Sequence, residues 1–340
     1  MRLARAVDIR GPAIQIRAAR PSARPTNADP MLTAPLRVVR GNLASVVLPL
    51  ALLGIGAPRL RAQTTTQSAT ADTSQCNLID ADRPGLADGS HVIGAGQIQL
   101  ETAYQQERHR DDDVPSRLSF APTLLRVGLT SRVEARIESS TYARQRFSPP
   151  DGSATTSSGF TPIFFGAKIV LYDPNQSGPL QVATIVRVAP PSGSDDFKSD
   201  RTAGDVRLVA DWQFAPTLSL NPNVGYGGYQ GSDGTLVNTA LAALTLTWQP
   251  TPRWNPFVDA AYASREDAGR GWAMIADAGV AYILGCNLKL DVTVGQGLHG
   301  VTQPKPFVAA GVSVRADLFH RSTHPLDHLH GDRPAQPARI

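Results

Sequence analysis

The sequence predicts an all-β protein, a closed antiparallel transmembrane β-barrel of about 12 strands with short periplasmic turns and longer extracellular loops. Three observations predict it. Segments in which apolar and polar residues alternate with period two recur along the chain. No apolar run reaches the roughly 18 residues of a membrane helix. The chain of 340 residues also carries, near its start, a segment patterned for export.

The export segment comes first. Arg37 and Arg40 form a positive region, residues 43–57 (LASVVLPLALLGIGA) an apolar stretch too short for a membrane anchor, and cleavage is expected near Ala62. Residues 1–62 are therefore a leader, with Met31 as the expected true start. This leader holds ten Arg, no Lys and two acids, so a formal net charge of +4 for the whole chain leaves −4 for residues 63–340. The basic pI belongs to the leader, which removes the argument for a nucleic-acid partner. Residues 63–93 are expected to be a periplasmic N-terminal segment, and its first part, 63–75, is rich in Thr, Ser, Gln and Ala.

The first strand, 94–107, sets Ile98, Leu100, Thr102 and Tyr104 on one face and Gln97, Gln99, Glu101 and Gln105 on the other. One face meets a greasy medium and the other a wet one. Further strands are expected at 117–129, 132–143, 160–172, 180–190, 204–213, 216–227, 236–249, 254–263, 271–284, 287–298 and 306–319. Alternation is clearest where Val133, Ala135 and Ile137 oppose Glu134, Arg136 and Glu138, and where Val206, Leu208, Ala210 and Trp212 oppose Asp205, Arg207 and Asp211. Aromatic residues gather near strand ends (Tyr104, Tyr142, Tyr172, Trp212, Trp248, Trp254, Trp272, Tyr282, Phe307, Phe319), as an interfacial girdle would. A soluble β-sandwich also alternates; the girdle and the export segment favour the barrel.

The links between strands alternate in length. Residues 108–116, 144–159, 191–203, 228–235 and 264–270 are long and polar; 130–131, 214–215, 250–253 and 285–286 are short. With a periplasmic N-terminus this places the long links outside the cell. The barrel is thus 94–319, followed by a flexible tail, 320–340, that holds His320, His324, His328 and His330 without fixed geometry for a metal.

The inward face carries the candidate functional residues. The expected lumen-facing set is Gln97, Gln99, Glu101, Arg126, Glu134, Arg136, Glu138, Lys168, Arg187, Asp205, Arg207, Asp211, Asp259, Asp277, Lys289, Asp291 and Arg315. Its charges are mixed, so neighbours can pair across strands rather than form a ring selective for one ion sign. Such pairs either line a narrow pore or close it. Asp80, Asp82 and Arg83, just before the first strand, are candidates to cap the periplasmic opening; an ordinary N-terminal lead fits the same residues. Cys76 and Cys286 are compatible with one disulfide and equally with two thiols. No G-x-S-x-G, H-E-x-x-H, phosphate-binding glycine loop or C-x-x-C is present, and His91, His109 and His299 stand apart in the sequence, so no enzyme, catalytic residue, cofactor or metal is expected.

Several stretches together resemble the outer-membrane barrel family named for the MetA pathway of phenol degradation. They are DADRPGL at 80–86, GAGQIQLE at 94–101, LRVGLTSRVEARI at 125–137, FGAKIVLY at 165–172, YILGCNLKLDVTVGQG at 282–297 and FVAAGVSVR at 307–315. VAPPSG at 188–193 departs from that family's Pro-Thr-Gly turn. The resemblance implies an outer-membrane protein that moves hydrophobic or aromatic compounds. The leading expectation is a Gram-negative outer-membrane channel passing small organic molecules by passive diffusion. Its expected partners are outer-membrane lipid, the solute and the barrel assembly machinery. The alternatives are a closed structural or surface-interaction barrel and a membrane-embedded hydrolase.

Overall fold

The structure, a computed structural model, describes residues 76–111, 114–173 and 178–318. The leader, the expected start and cleavage site, residues 63–75, Phe319 and the His-containing tail lie outside the described residues. All described residues except Cys76 belong to one compact unit.

Fifteen strands run in chain order: β1 Gln97–Asp111, β2 Val114–Phe120, β3 Thr123–Gly128, β4 Val133–Ser139, β5 Tyr142–Phe147, β6 Thr155–Phe160, β7 Phe164–Tyr172, β8 Leu180–Ala189, β9 Ala203–Ala215, β10 Leu218–Gln230, β11 Leu236–Trp248, β12 Trp254–Ala263, β13 Ala273–Leu284, β14 Leu288–His299 and β15 Phe307–Asp317. Every pairing is antiparallel between neighbours, and β15 closes on β1 from Gln97↔Asp317 to Glu107↔Phe307. Closure of β15 on β1 joins the two ends of the lipid-facing wall, as lipid demands, while β6 pairs with β5 alone. Three pairs of strands, β2/β3, β4/β5 and β6/β7, are single crossings broken once, at 121–122, 140–141 and 161–163, so the barrel has twelve crossings.

The three breaks lie side by side. Pro122 lacks an N–H, and its carbonyl still accepts from the Ala103 N–H at 3.1 Å. Beside it Thr141 takes φ 50, rare for a branched residue, while its Oγ1 donates to the Ala121 carbonyl at 2.9 Å and its N–H to Ser139 Oγ at 2.9 Å. The breaks fall inside strands read from sequence as continuous. Across 121–122 the residues on either side keep their faces, whereas across 140–141 and 161–163 the inward positions shift by one, from Glu138 to Ala143 and from Gly159 to Phe164.

The expected long links are shorter than read. β1 and β2 extend to Asp111 and from Val114, and β5 and β6 reach into 142–147 and 155–160. Residues 94–96 are not strand. The outer face is apolar, with Leu100, Val206, Leu208, Val224, Leu244, Val258 and Val292 exposed. Tyr104, Tyr142, Tyr172, Trp212, Trp248, Trp254 and Trp272 are exposed at its margins. Phe307 is the exception among the expected girdle residues. It is buried at 5 % exposure, because it stands at an inward position of β15.

Leu208 lies mid-strand on this outer face. Leu208→Arg is expected to destabilise the barrel by about 2–4 kcal/mol, the cost of a cation near the bilayer midplane, measured by denaturant unfolding from lipid vesicles.

Candidate functional site

The alternation that makes the outer face apolar sends the charges inward. Gln99, Glu101, Arg126, Glu134, Arg136, Glu138, Lys168, Arg187, Asp205, Arg207, Asp259, Asp277, Lys289, Asp291 and Arg315 are all buried, and Gln97 and Asp211 are half-buried. On the wall made by β3, β4, β7, β8 and β9 they form a continuous ionic lattice. Arg126 meets Glu134 at 2.8 Å and Glu101 at 3.1 Å. Arg136 meets Glu138 at 2.8 Å and Glu134 at 3.2 Å. Arg187 joins Glu138 at 2.6 Å to Asp205 at 2.8 Å, and Arg207 meets Asp205 at 3.0 Å. Register explains the contacts: Arg126↔Arg136, Glu134↔Lys168 and Arg187↔Asp205 are directly opposite.

Residues 76–96 enter this lumen and cross it. Asp82 is the anchor, with Arg136 at 2.5 Å, Lys168 at 2.9 Å and Arg126 at 3.8 Å. Burial alone would raise its carboxyl, but Arg126, then Lys168 and Arg136, hold it well below the usual carboxylate range. Asp88 meets Arg136 at 3.0 Å and Arg207 at 3.3 Å. Across the lumen Arg83 donates from its backbone N–H to Glu101 at 2.9 Å and from its guanidinium to Asp291 at 2.9 Å. The Leu86 N–H donates to Asp259 at 3.0 Å and the Ile93 N–H to Glu134 at 2.9 Å. Arg126 in turn donates to the His91 carbonyl at 2.7 Å, and Lys289 to that of Ala81 at 3.1 Å. The segment's backbone is thus satisfied by lumen charges rather than by a ladder. At its start Ile79 N–H donates to the Cys286 carbonyl at 2.7 Å. No cysteine is free; Cys76 and Cys286 are both disulfide-bonded.

The opposite wall, β11–β15, is less saturated. Asp259 stands directly opposite Asp277. Buried atoms there without a protein partner include Asp259 Oδ1, Asp291 Oδ2, Thr245 Oγ1, Thr293 Oγ1 and Ser313 Oγ. Beside the inserted segment, lined from both walls, including Arg136, Glu138 and Arg187 of the ionic one, lies a cavity of about 120 Å³. Its lining includes Arg83, Leu86, Phe120, Asp277, Thr293 and Phe307, and it reaches the strand breaks at Pro122 and Ser140. Farther out the lumen is apolar: Leu86 contacts a cluster of Phe164, Tyr229, Leu241, Ile275 and Phe307 with small residues between them. Outer loops fold together above it. Glu266 accepts from Thr302 Oγ1 at 2.8 Å and from the Val301 N–H at 3.1 Å, while Asp267 accepts from the Ser232 N–H at 2.7 Å.

Sequence reading alone missed three features here. The first is the apolar inner cluster, whose residues look like ordinary alternation breaks. The second is the inward-folded loops, for which no periodic signal exists. The third is Gly311, where an added Cβ would fall 2.5 Å from Asp291 Oδ2 and 2.8 Å from Arg83 Nε, so glycine leaves room for that ion pair. The three described histidines are each engaged: His91 Nδ1 lies 3.0 Å from Asp211, His109 lies 2.8 Å from Glu107, and His299 stacks on Trp272 at 3.5 Å.

A closed, lipid-facing barrel with a charged lumen and an inserted segment is the architecture of an outer-membrane protein. The sequence profile of the family described as "Putative MetA-pathway of phenol degradation" matches residues 81–316, and the chain belongs to that family. No curated protein matches. Among solved structures, the COG4313 outer membrane channel from Pseudomonas putida F1 is similar at 11 % identity and TM-score 0.54, covering 67 % of this chain and 98 % of that one. This likeness shows the barrel fold. The CymD monoaromatic hydrocarbon channel aligns at 9 % identity and TM-score 0.35, over 67 % of this chain and 90 % of that one, too distant to carry an argument.

Two predictions follow from the docking of residues 76–96. Asp82→Asn is expected to destabilise the docked segment by about 3–5 kcal/mol, the cost of leaving buried cations uncompensated; amide exchange should quicken across 79–93 while strand amides stay protected. His91 is half-exposed, and its imidazole rises from 6.5 to about 9, since the Asp211 hydrogen bond and the Asp80 and Asp211 charges outweigh burial. A raised folded-state value means this contribution is full below pH 6.5 and is lost as pH climbs through about 9. Exchange at 89–93, corrected for intrinsic rate, should therefore accelerate over that window, and His91→Asn should abolish the dependence.

Proposed function

We propose that this barrel is a gated outer-membrane channel through which small apolar or aromatic organic molecules diffuse, and that residues 76–96 are its gate. One observation carries the reading: the inserted segment is held by ionic and backbone contacts to lumen side chains, beside a small cavity that adjoins an apolar inner cluster. Ionic contacts of this kind are replaceable by water, so the segment can leave without breaking a strand ladder. The cavity, about 120 Å³, carries charged groups (Arg83, Asp88, Arg136, Glu138, Arg187, Asp277) beside Leu86, Phe120 and Phe307, so it joins the ionic part of the lumen to the apolar part. The apolar cluster favours an uncharged solute on the outer side. The oxygens of Asp259, Asp291, Thr245, Thr293 and Ser313 give water a path along the β11–β15 wall.

The rival reading, a closed barrel whose loops carry the function, draws on the ionic lattice of Arg126, Arg136, Arg187 and their carboxylates, which fills one wall. Reconstitution separates the two. Wild-type protein in planar bilayers is expected to show small conductance and, in vesicles, uptake of a monoaromatic such as toluene. Cys76→Ser and Asp82→Asn are expected to raise conductance several-fold by loosening the segment. Absence of both conductance and uptake from wild type and variants would establish the closed barrel instead.

A further inference from the structure

A row of arginines faces outward on the extracellular half of the barrel. Arg108 stands directly opposite Arg117 across β1 and β2, and Arg117 opposite Arg146 across β2 and β5. Their strand neighbours Glu107, Leu118 and Gln145 are buried, and all three arginines are exposed, so the row lies on the outer surface. Arg144 occupies the next outward position below Arg146. Lys305 is tied to the row's edge, its N–H donating to the Arg108 carbonyl at 2.7 Å. A cleft of about 670 Å³ is lined by Arg108, Arg117, Arg146 and Lys305 among others.

Like charges directly opposite one another in a sheet repel. Among the described residues, none of Arg108, Arg117, Arg144 and Arg146 makes an ion pair to offset this. The nearby Glu107 points inward, where Gln105 donates to it at 2.6 Å. A bound anion would turn the repulsion into a shared attraction, and arginine grips phosphate through two parallel N–H donors.

Height on the barrel decides which anion. Two outward positions toward the membrane lie Tyr104, Tyr142 and Phe160, all exposed, with Tyr142 and Phe160 in edge contact at 5.4 Å. Such aromatics mark the lipid interface. Four residues of strand put the arginines about 13 Å farther along, or roughly 10 Å along the membrane normal at the usual tilt. That is the level of lipid headgroups on the extracellular leaflet, and the arginines share the outward face of β1 and β5 with Tyr104 and Tyr142. We propose that Arg108, Arg117 and Arg146, with Lys305, bind the phosphate groups of the phosphorylated glycolipid that forms this leaflet. The glycolipid then clamps the tall β1–β2–β5 hairpins, whose strands are already interrupted at the membrane by the breaks at 121–122 and 140–141.

The test uses purified full-length protein in non-ionic detergent, with binding read by native mass spectrometry. The probes are bisphosphorylated lipid A, its dephosphorylated form and inorganic pyrophosphate. Lipid A is expected to bind at least tenfold more tightly than either of the others. The triple variant Arg108→Gln, Arg117→Gln, Arg146→Gln is expected to lose at least tenfold, with unchanged heat-modifiable gel migration. Arg132→Gln, at the periplasmic end, should change nothing. Should the triple variant fail to fold, Arg117→Gln alone, at the centre of the row, is expected to lose at least threefold. Equal binding of the dephosphorylated lipid, or unaltered binding by the arginine variants, would overturn the proposal. Pyrophosphate binding as tightly as lipid A would make this a site for soluble phosphates and overturn the lipid assignment.

Discussion

Arg126, Arg136 and Lys168 converge on one carboxylate, Asp82, and the interior of the barrel depends on that convergence. All three cations come from neighbouring strands and are almost wholly buried. A cation in that setting is costly unless several acceptors surround it. Glu134 and Glu138 supply part of the compensation from the wall itself. The remainder comes from a segment that belongs to no strand. Asp82 and Asp88 enter from residues 76–96, and the wall in return satisfies the backbone of the chain that carries them. Each half supports the other, so the segment is part of the lumen rather than an appendage to it.

This arrangement divides the lumen. One wall is an ionic lattice, shared with the inserted segment. The opposite wall keeps buried oxygens without protein partners, and the outer third is apolar around Tyr229, Ile275 and Phe307. Polar chemistry holds the inserted segment, and apolar side chains surround the space beyond it.

Much of this was legible before any coordinates. The twelve crossings follow from period two, and mid-strand charges such as Glu134, Arg136 and Asp205 could face only inward, since lipid does not tolerate them. Phe307 satisfies the girdle pattern as an aromatic near a strand end, but it shares the face of Ser313 and Arg315 on β15, and that alternation puts it inside. The breaks at 121–122, 140–141 and 161–163 were hidden. The first leaves the alternation in phase on both sides, and the other two slip it by one residue within links of two or three residues, too short for the sequence to separate from an irregular strand.

Local alternation settles which face of each strand meets lipid, how many times the chain crosses and which charges must be inside. Those depend on local alternation and on turn length, which each short stretch carries within itself. Which charges meet depends on the closed barrel. Asp82 is separated from Lys168 by 86 residues and Arg83 from Asp291 by 208, and no local pattern specifies contacts across such distances. Closure of β15 on β1 fixes the circumference, the circumference fixes which side chains face one another, and that spacing leaves one segment's width of room in which residues 76–96 lie.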